Sequence, residues 1–519
     1  MPLADGCRFR RLPVAALECE GKRNYWEVLV PRFEETFATV IHQDCVHNEY
    51  MGLVTRHLAP VPKPTLRGCK ALSKELRRIS MKIRVSCGTL APLPWADVVA
   101  SYSGAKRRTY EAAMKSLREE GLSTKRDAKI SSFVKAERRT FDKISRPRII
   151  QHRSPRYALE LQSYIRVVED SLMLLRADRG VGVPGTQVFA KRIDLRELAN
   201  LIRRKFTELG GDVVAVCLDA VAWDGHVSPQ MLRLEHGFYE SLFPGDSRLQ
   251  KLLSWQNVNH GRSRHGLKYT CPGTRMSGDA NTSTGNCVLM YACVRKAARD
   301  AGLRKWEALV NGDDVVVFLR RPDLARFTER VRPSFLELGQ EVVVSTVFRS
   351  WTEVEMGRAK PILGSHGYFM GRDVFRIMST AFVSHKHYHE AKGGLRAVKT
   401  IAQGLLVLYQ GVPVIQSYAE NIVNQLENVE ILELALDPEV LRVVKRTARG
   451  ADWTRMRSVP VTHDSRLAYY DAYGLGVDRQ VQLEEEVRRL DVTIDLAWGP
   501  TPVLADACGR LHEVDKPEW

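Results

Sequence analysis

Glu307 Ala308 Leu309 Val310 Asn311 Gly312 Asp313 Asp314 Val315 Val316 Val317 Phe318 Leu319 is the stretch on which the fold turns. It reads as two short apolar strands joined by Asn-Gly turn chemistry, with two carboxylates in and beside the turn. Upstream, Asp212 to Leu218 is a continuous apolar run, as expected for a buried strand, and Asp219 stands at its end. Asp224 follows five positions later, placed in the loop beyond the strand. Ser228 and Pro229 predict a helix through about Leu242, with serine as cap and proline at the first helical position. Asn281 to Ala301 predicts a second helix, closed by Gly302. Strand, helix, helix, hairpin in that order predicts an α+β fold, a small mixed or antiparallel sheet backed by helices. Carboxylates at strand ends and a turn can then converge on one edge.

The surrounding chain is long and basic. Its 519 residues contain no Pro/Ser/Gly-rich linker that would divide it cleanly, so one large multi-lobed enzyme is expected. The formal charge is +17, and 24 Lys/Arg against 9 Asp/Glu in residues 61–160 carry nearly all of it. A polyanion such as a nucleic acid is the expected partner, because neutralising phosphates releases counterions. A merely solvated basic surface is the plain alternative. The ten cysteines form no CxxC pair, against a zinc ribbon or a disulfide framework and in favour of reduced thiols in a cytosolic setting. The N-terminus has no long apolar run of a signal peptide. The most apolar segment, Ile401 to Ile415, is interrupted by Gln403, Gly404, Gln410, Gly411 and Pro413, too short for a membrane span of about 20 residues. Leu72–Ile83 and Lys106–Glu120 read as basic helices. Phe133–Lys135 and Pro147–Gln151 read as extended segments flanking a charged turn.

The carboxylates suggest a chemistry. Nucleotidyl transfer needs an activated attacking oxygen and a neutralised pyrophosphate, and two Mg²⁺ ions roughly 4 Å apart do both. Mg²⁺ takes hard oxygen ligands and keeps some waters, so two or three aspartates suffice. Asp219 and Asp313 are the expected ligands, with Asp314 supporting and Mn²⁺ able to substitute. A lone Gly-Asp-Asp would more often be turn capping; its pairing with a strand-end aspartate argues otherwise. Asp224 reads either as a solvated loop aspartate or as an acceptor for a ribose 2′-hydroxyl, with Asn281 joining it. The polar stretch Met276 to Asn286 lies between the two carboxylate clusters, where the sugar of an incoming nucleotide would be inspected.

With these residues in place, the chain resembles viral RNA-dependent RNA polymerases, most closely those of tombusvirus-like plus-strand RNA viruses. Leu218 to Ser228, followed by the helix carrying Leu232 to His236, is similar to the first palm motif. Cys271 to Met290 is similar to the second, and Asn311 to Asp314 to the third. By that resemblance Ser277, Thr282 and Asn286 join Asp224 and Asn281 in recognising the sugar. Phe133 to Glu137 with Arg146 to Gln151 and Arg153 to Tyr157 resembles the nucleotide-entry motif of the fingers, which implies that Lys135, Arg146 and Arg148 face the triphosphate. Tyr102 to Tyr110 resembles the template-entrance motif, with Ser103, Gly104, Lys106, Arg107 and Arg108 meeting template phosphates. Gly411 to Tyr418 resembles a thumb segment. Ala222 and Trp223 depart from the family's basic residue and phenylalanine. In Val354 to Pro361, similar to the primer-grip region, Gly357 replaces the usual cysteine. Glu341 to Trp351 lacks a lysine for the proposed general acid, leaving Lys360 or Arg349.

The resemblance implies a right hand of fingers, palm and thumb. Residues 1–60 are an N-terminal extension, 61–211 fingers, 212–241 palm, 242–270 a fingers insertion, 271–370 palm, and 371–519 thumb and tail. The acidic stretch Leu483 to Glu486 reads as a solvated helix. The implied partners are an RNA template and nascent RNA, ribonucleoside triphosphates and other viral replication proteins. The implied place is the host cytoplasm, in membrane-associated complexes reached through a partner. A reverse transcriptase would share the paired aspartates but not the polar sugar-reading set. A non-catalytic basic RNA-binding or capsid-like protein would explain the charge but not three ordered motifs.

Overall fold

A computed structural model describes residues 2–10, 24–27, 33–37, 39–140, 146–178, 184–384, 393–490 and 499–500. At its centre lies a four-stranded sheet in the order Trp306–Asn311, Asp314–Arg320, Val213–Ala220, Val342–Phe348. Every neighbouring pair is antiparallel. An antiparallel strand usually alternates apolar and polar residues, because one face meets water. Here the apolar runs are continuous because both faces are covered. Val214, Val216, Leu218, Val315 and Val317 enter one core with the helices Pro229–Leu242, Thr282–Asp300 and Leu324–Leu336. Val213, Ala215, Val316 and Phe318 enter a second core beneath the helix Leu195–Leu209, which Asp194 starts with a capping box.

The helix Thr282–Asp300 is the spine of the larger core, with Cys287 through Val294 all buried. A helix apolar on every side must be covered on every side, and the helices Leu66–Cys87 and Leu324–Leu336 pack against it. Ser228 accepts a hydrogen bond from the Met231 amide at 3.2 Å and Pro229 opens the next helix, as the sequence predicts. The hairpin differs in detail. Asn311 pairs with Asp314, so the two turn residues are Gly312 and Asp313, and only Gly312 takes a positive φ, of 70°. A two-residue hairpin with a positive φ at its first central position calls for glycine there, so the turn rests on Gly312 rather than on an Asn-Gly pair.

A second sheet, of five strands, runs Arg8–Arg10, Lys268–Pro272, Val258–Ser263, Ile130–Val134, Ile149–His152. Part of the first sixty residues is thereby built into the body: Arg8–Arg10 pairs with Lys268–Thr270, and Leu53 and Leu58 are fully buried. The extended segments expected at Phe133–Lys135 and Pro147–Gln151 are the paired strands Ile130–Val134 and Ile149–His152. The two basic helices are Leu66–Cys87 and Gly104–Glu119.

From Val374 onward the described chain is almost all helical. The acidic stretch is not a solvated face. Glu484 is 3% exposed, pairs with Arg466 at 2.8 Å, and accepts a hydrogen bond from the Val414 amide at 2.9 Å. Its charge therefore secures the turn at Gly411–Val414, where Val414 takes a left-handed φ of 65°. Glu485 is exposed and Glu486 half-buried, as a charge run would suggest. Cys19, Cys508 and the tail to Trp519 lie outside the described residues; the eight described cysteines are all free thiols.

Candidate functional site

The sheet register brings the carboxylates together. Val315 stands opposite Leu218, so the next residues, Asp314 and Asp219, fall level on adjacent strands, and Val343 flanks Asp219 on the other side. Asp219, Asp313 and Asp314 are all exposed. The chain still displaces enough water around Asp314 that desolvation, reinforced by the charges of Asp313 and Asp219, pushes its carboxyl up to about 6. Arg358 and Arg148 act in the opposite direction. Three mutually repelling carboxylates with hard oxygen donors fit a divalent cation, which would relieve the repulsion. Their ligand atoms are not drawn within 4.8 Å of one another. Among the described residues the trio that meets that distance is Asp44, Glu49 and His265, where Arg264 already pairs with Asp44 at 2.5 Å.

Beside this edge runs a buried polar chain. Asn286 donates from Nδ2 to the Asp224 carboxylate at 3.0 Å and accepts from Arg275 Nε at 3.1 Å. Arg275 forms an ion pair with Glu235, and both are 1% exposed or less. Tyr239 donates to Glu235 at 3.0 Å. Asn281, fully buried, donates to Glu235 and Gln256, each at 3.2 Å, and accepts from Gln256 at 2.9 Å. His236, next to Glu235 on the helix Pro229–Leu242, is pushed down to about 3 chiefly by burial, so it meets Gln256 as a neutral ring. Asn281 is thus spent inside the protein, and Asn286 is the amide that reaches Asp224. Sequence reasoning gave Glu235, Arg275 and Gln256 no role. Glu235 did leave a signal: it shares a helical stripe with the buried Met231, Phe238, Tyr239 and Leu242, and a charge in an apolar stripe needs a partner.

Asp224 sits on a helical turn, Trp223–His226, entered through Ala222 at a left-handed φ of 43°. It is half-buried rather than a solvated loop residue. Burial, the largest cause, and the charge of Asp313 raise its pKa, against the Asn286 hydrogen bond and the charges of Arg275 and Arg148. A raised carboxyl costs stability wherever the folded state would rather keep its proton, that is, from the ordinary aspartate range upward. Asp224→Asn is therefore expected to melt at a higher temperature than the parent at pH 7 to 8. The gain should shrink as the pH falls towards 4; thermal melts at both pH values measure it.

Two of the expected sugar readers use their hydroxyls on the main chain. Ser277 Oγ donates to the Ile149 carbonyl at 2.8 Å and accepts from the Gln151 amide at 3.1 Å. Thr282 Oγ1 donates to the Met276 carbonyl at 2.7 Å. The Thr282 bond closes the loop on itself, while the Ser277 bonds and the Gly278 amide on the Gln151 carbonyl at 2.7 Å stitch the polar loop to the strand that begins just after Arg148. Arg148 and Lys135 both pair with Glu137, and the charge of Arg148 reaches Asp224 and Asp314. Arg146 is exposed, and its carbonyl accepts from Arg56 at 3.1 Å.

The residues expected at a template entrance lie at and just before another helix. Ser103 precedes the helix Gly104–Glu119, Gly104 takes a φ of 58°, and Arg107 pairs with Glu111 at 2.8 Å. Lys106 and Arg166 lie 4.4 and 4.7 Å from the Tyr102 ring, itself stacked on Tyr110, and Arg108 is exposed. Of the two substitute acids, Lys360 donates to the Ala472 carbonyl at 2.8 Å and Arg349 is exposed. Besides Arg148, Arg358 is a cation whose charge reaches Asp314; it is held with Gly357 in a left-handed turn at φ values of 61° and 60°. The sequence reading passed over it, although Gly357 marked the turn.

The same residues coincide with a known pattern. A family model described as viral RNA-dependent RNA polymerase matches residues 23–495. The chain belongs to the viral RNA-dependent RNA polymerase family. Among curated members of that family, the RNA-directed RNA polymerase of Cymbidium ringspot virus is 32% identical over 467 residues, covering 88% of this chain and 55% of its own length. Those of Tomato bushy stunt virus (strain Cherry) and Turnip crinkle virus are 32% and 30% identical over 468 and 481 residues, 55% and 59% of their own lengths and 88% and 89% of this chain. The chain thus spans a little over half the length of these viral RNA-dependent RNA polymerases. Membership implies use of a divalent metal in general.

Proposed function

We propose that the chain is an RNA-directed RNA polymerase that replicates a viral RNA genome, in a right hand divided at the boundaries given above. The observation that carries this reading is the meeting of Asp219, Asp313 and Asp314 on adjacent strands with the Asp224–Asn286 pair and Arg148 at the same edge. Asp219 and Asp313, with Asp314 supporting, would hold Mg²⁺, which when bound supplies charge neutralisation for the attacking and leaving oxygens. Arg148 and Lys135 bind the triphosphate, guanidinium geometry suiting phosphate oxygens. Asp224, aimed by Asn286, accepts a hydrogen bond from the ribose 2′-hydroxyl. Ser277 and Thr282 act at one remove by fixing the loop. Arg358, whose charge reaches Asp314, would steady the departing pyrophosphate. Ser103, Gly104, Lys106, Arg107 and Arg108 would meet the incoming template farther from the chemistry.

The partners on this reading are an RNA template, nascent RNA, ribonucleoside triphosphates and other viral replication proteins. No helix of the described residues is long and apolar enough to cross a membrane. The proposed setting is host cytoplasmic membranes, with attachment through a partner. Template-dependent ribonucleotide incorporation by the purified chain with Mg²⁺ tests the proposal. RNA binding without synthesis would refute it, and preferential use of deoxynucleotides would make the protein a reverse transcriptase.

A further inference from the structure

Away from the catalytic edge, a group of arginines gathers around a single buried carboxylate. Glu75, on the helix Leu66–Cys87, is 1% exposed. It accepts from Arg78 on its own helix at 2.8 Å, from Arg295 Nε at 2.8 Å, and from Arg299. The two latter arginines are one turn apart on the helix Thr282–Asp300. Arg304 lines the same recess from the loop that follows, so four guanidinium groups and one carboxylate are among its lining residues. A structural ion pair needs one cation per acid; an excess confined to a recess raises the local concentration of anions.

The recess also has a flat apolar wall. Its volume is about 370 Å³, and Trp306 lines it beside the arginines. The indole is half-buried, braced by Tyr291 at a centroid distance of 6.5 Å. Arg78 and Arg299 keep 44% and 37% of their side chains exposed, while Arg295, at 12%, also lies over the Tyr291 ring. Glu75 thus fixes three guanidinium groups in direction, and Arg78 and Arg299 stay partly exposed at the recess. Forked donors suit phosphate oxygens, and an indole face suits a nucleobase. Trp306 begins the strand that ends at Asn311, about 17 Å from the catalytic turn at 3.4 Å per residue.

We propose that this recess is a second nucleotide-binding site, in which the Glu75-anchored arginines and Arg304 take the phosphate and Trp306 stacks on the base. The ligand is a phosphorylated nucleoside, either a free nucleotide or one unit of an RNA strand. The site is separate from the catalytic carboxylates and needs no metal.

Equilibrium dialysis of the intact chain in EDTA, with radiolabelled GTP in one arm and a five-nucleotide RNA in the other, tests it. Saturable binding of at least one probe is expected, weakened about tenfold or more by Arg304→Glu, whose exposed position leaves the fold undisturbed. Trp306→Leu should weaken it by a similar factor through lost stacking, and Asp313→Ala should leave it unchanged. Tighter GTP binding identifies a free nucleotide as ligand, tighter RNA binding a strand. The proposal is overturned if neither probe binds saturably, or if binding falls with Arg148→Ala and not with Arg304→Glu. Because no synthesis is measured, this outcome is independent of whether the chain polymerises RNA.

Discussion

Asp313→Ala is expected to cut nucleotide incorporation by about a thousandfold or more while leaving the protein folded and able to bind RNA. The several kcal/mol that a metal ion supplies to such a transition state convert at about 1.4 kcal/mol per tenfold in rate. The fold should not notice. Asp313 is exposed in a two-residue turn whose conformation rests on Gly312, and substitutions at such surface positions typically stay within about 0.5 kcal/mol. A second readout follows from the crowding: without the Asp313 charge, the Asp314 carboxyl should titrate lower than its present value of about 6. Single-turnover incorporation beside a thermal melt separates the account from a structural role for Asp313, in which stability and activity would fall together.

Gly285→Ala should have a large effect on the fold for a single methyl group near the site. A Cβ there would lie 2.1 Å from Glu235 Oε1 and 2.6 Å from Arg275 Nη2. Neither group can withdraw, since both are fully buried and bonded to each other. Separating them leaves an uncompensated buried charge, and breaking a buried pair costs about 3–5 kcal/mol. The expected result is loss of most of the protein's stability margin, or insoluble expression. Any folded remainder should be inactive, because Arg275 can no longer steady Asn286 against Asp224. A control at Gly237, on the same helix as Glu235 but with open space around its Cβ position, should fold normally as Gly237→Ala. A Gly285→Ala protein that melts within a degree or two of the parent would show that the Glu235–Arg275 pair is not the anchor described here.

These two positions also show what could be read in advance. The Gly312 hairpin, the Asp219 strand and the capped helix after Ser228 all declare themselves through local chemistry: apolar runs, a turn glycine, a serine followed by proline. The carboxylate convergence followed because strand ends and turns were the only places the aspartates could occupy. Partnerships between distant residues were not legible. Nothing local says that Asn281 turns inward to Gln256 while Asn286, one and a half turns later, turns to Asp224. Ser277 and Thr282 looked like free hydroxyls because their acceptors are main-chain carbonyls, one of them on a strand well over a hundred residues earlier. Glu484 misled for the opposite reason: it sits in a charge run, and only the packing of its helix against Val414 and Arg466 buries it.

The central claim is that the Asp224–Asn286 pair beside the catalytic aspartates selects ribose. It is tested most directly by the ratio of ribonucleotide to deoxyribonucleotide incorporation on one RNA template, comparing the parent chain with Asp224→Ala. The account predicts strong ribonucleotide preference in the parent and a ratio at least tenfold lower in the variant, with residual synthesis retained. An unchanged ratio in an active Asp224→Ala protein would contradict it.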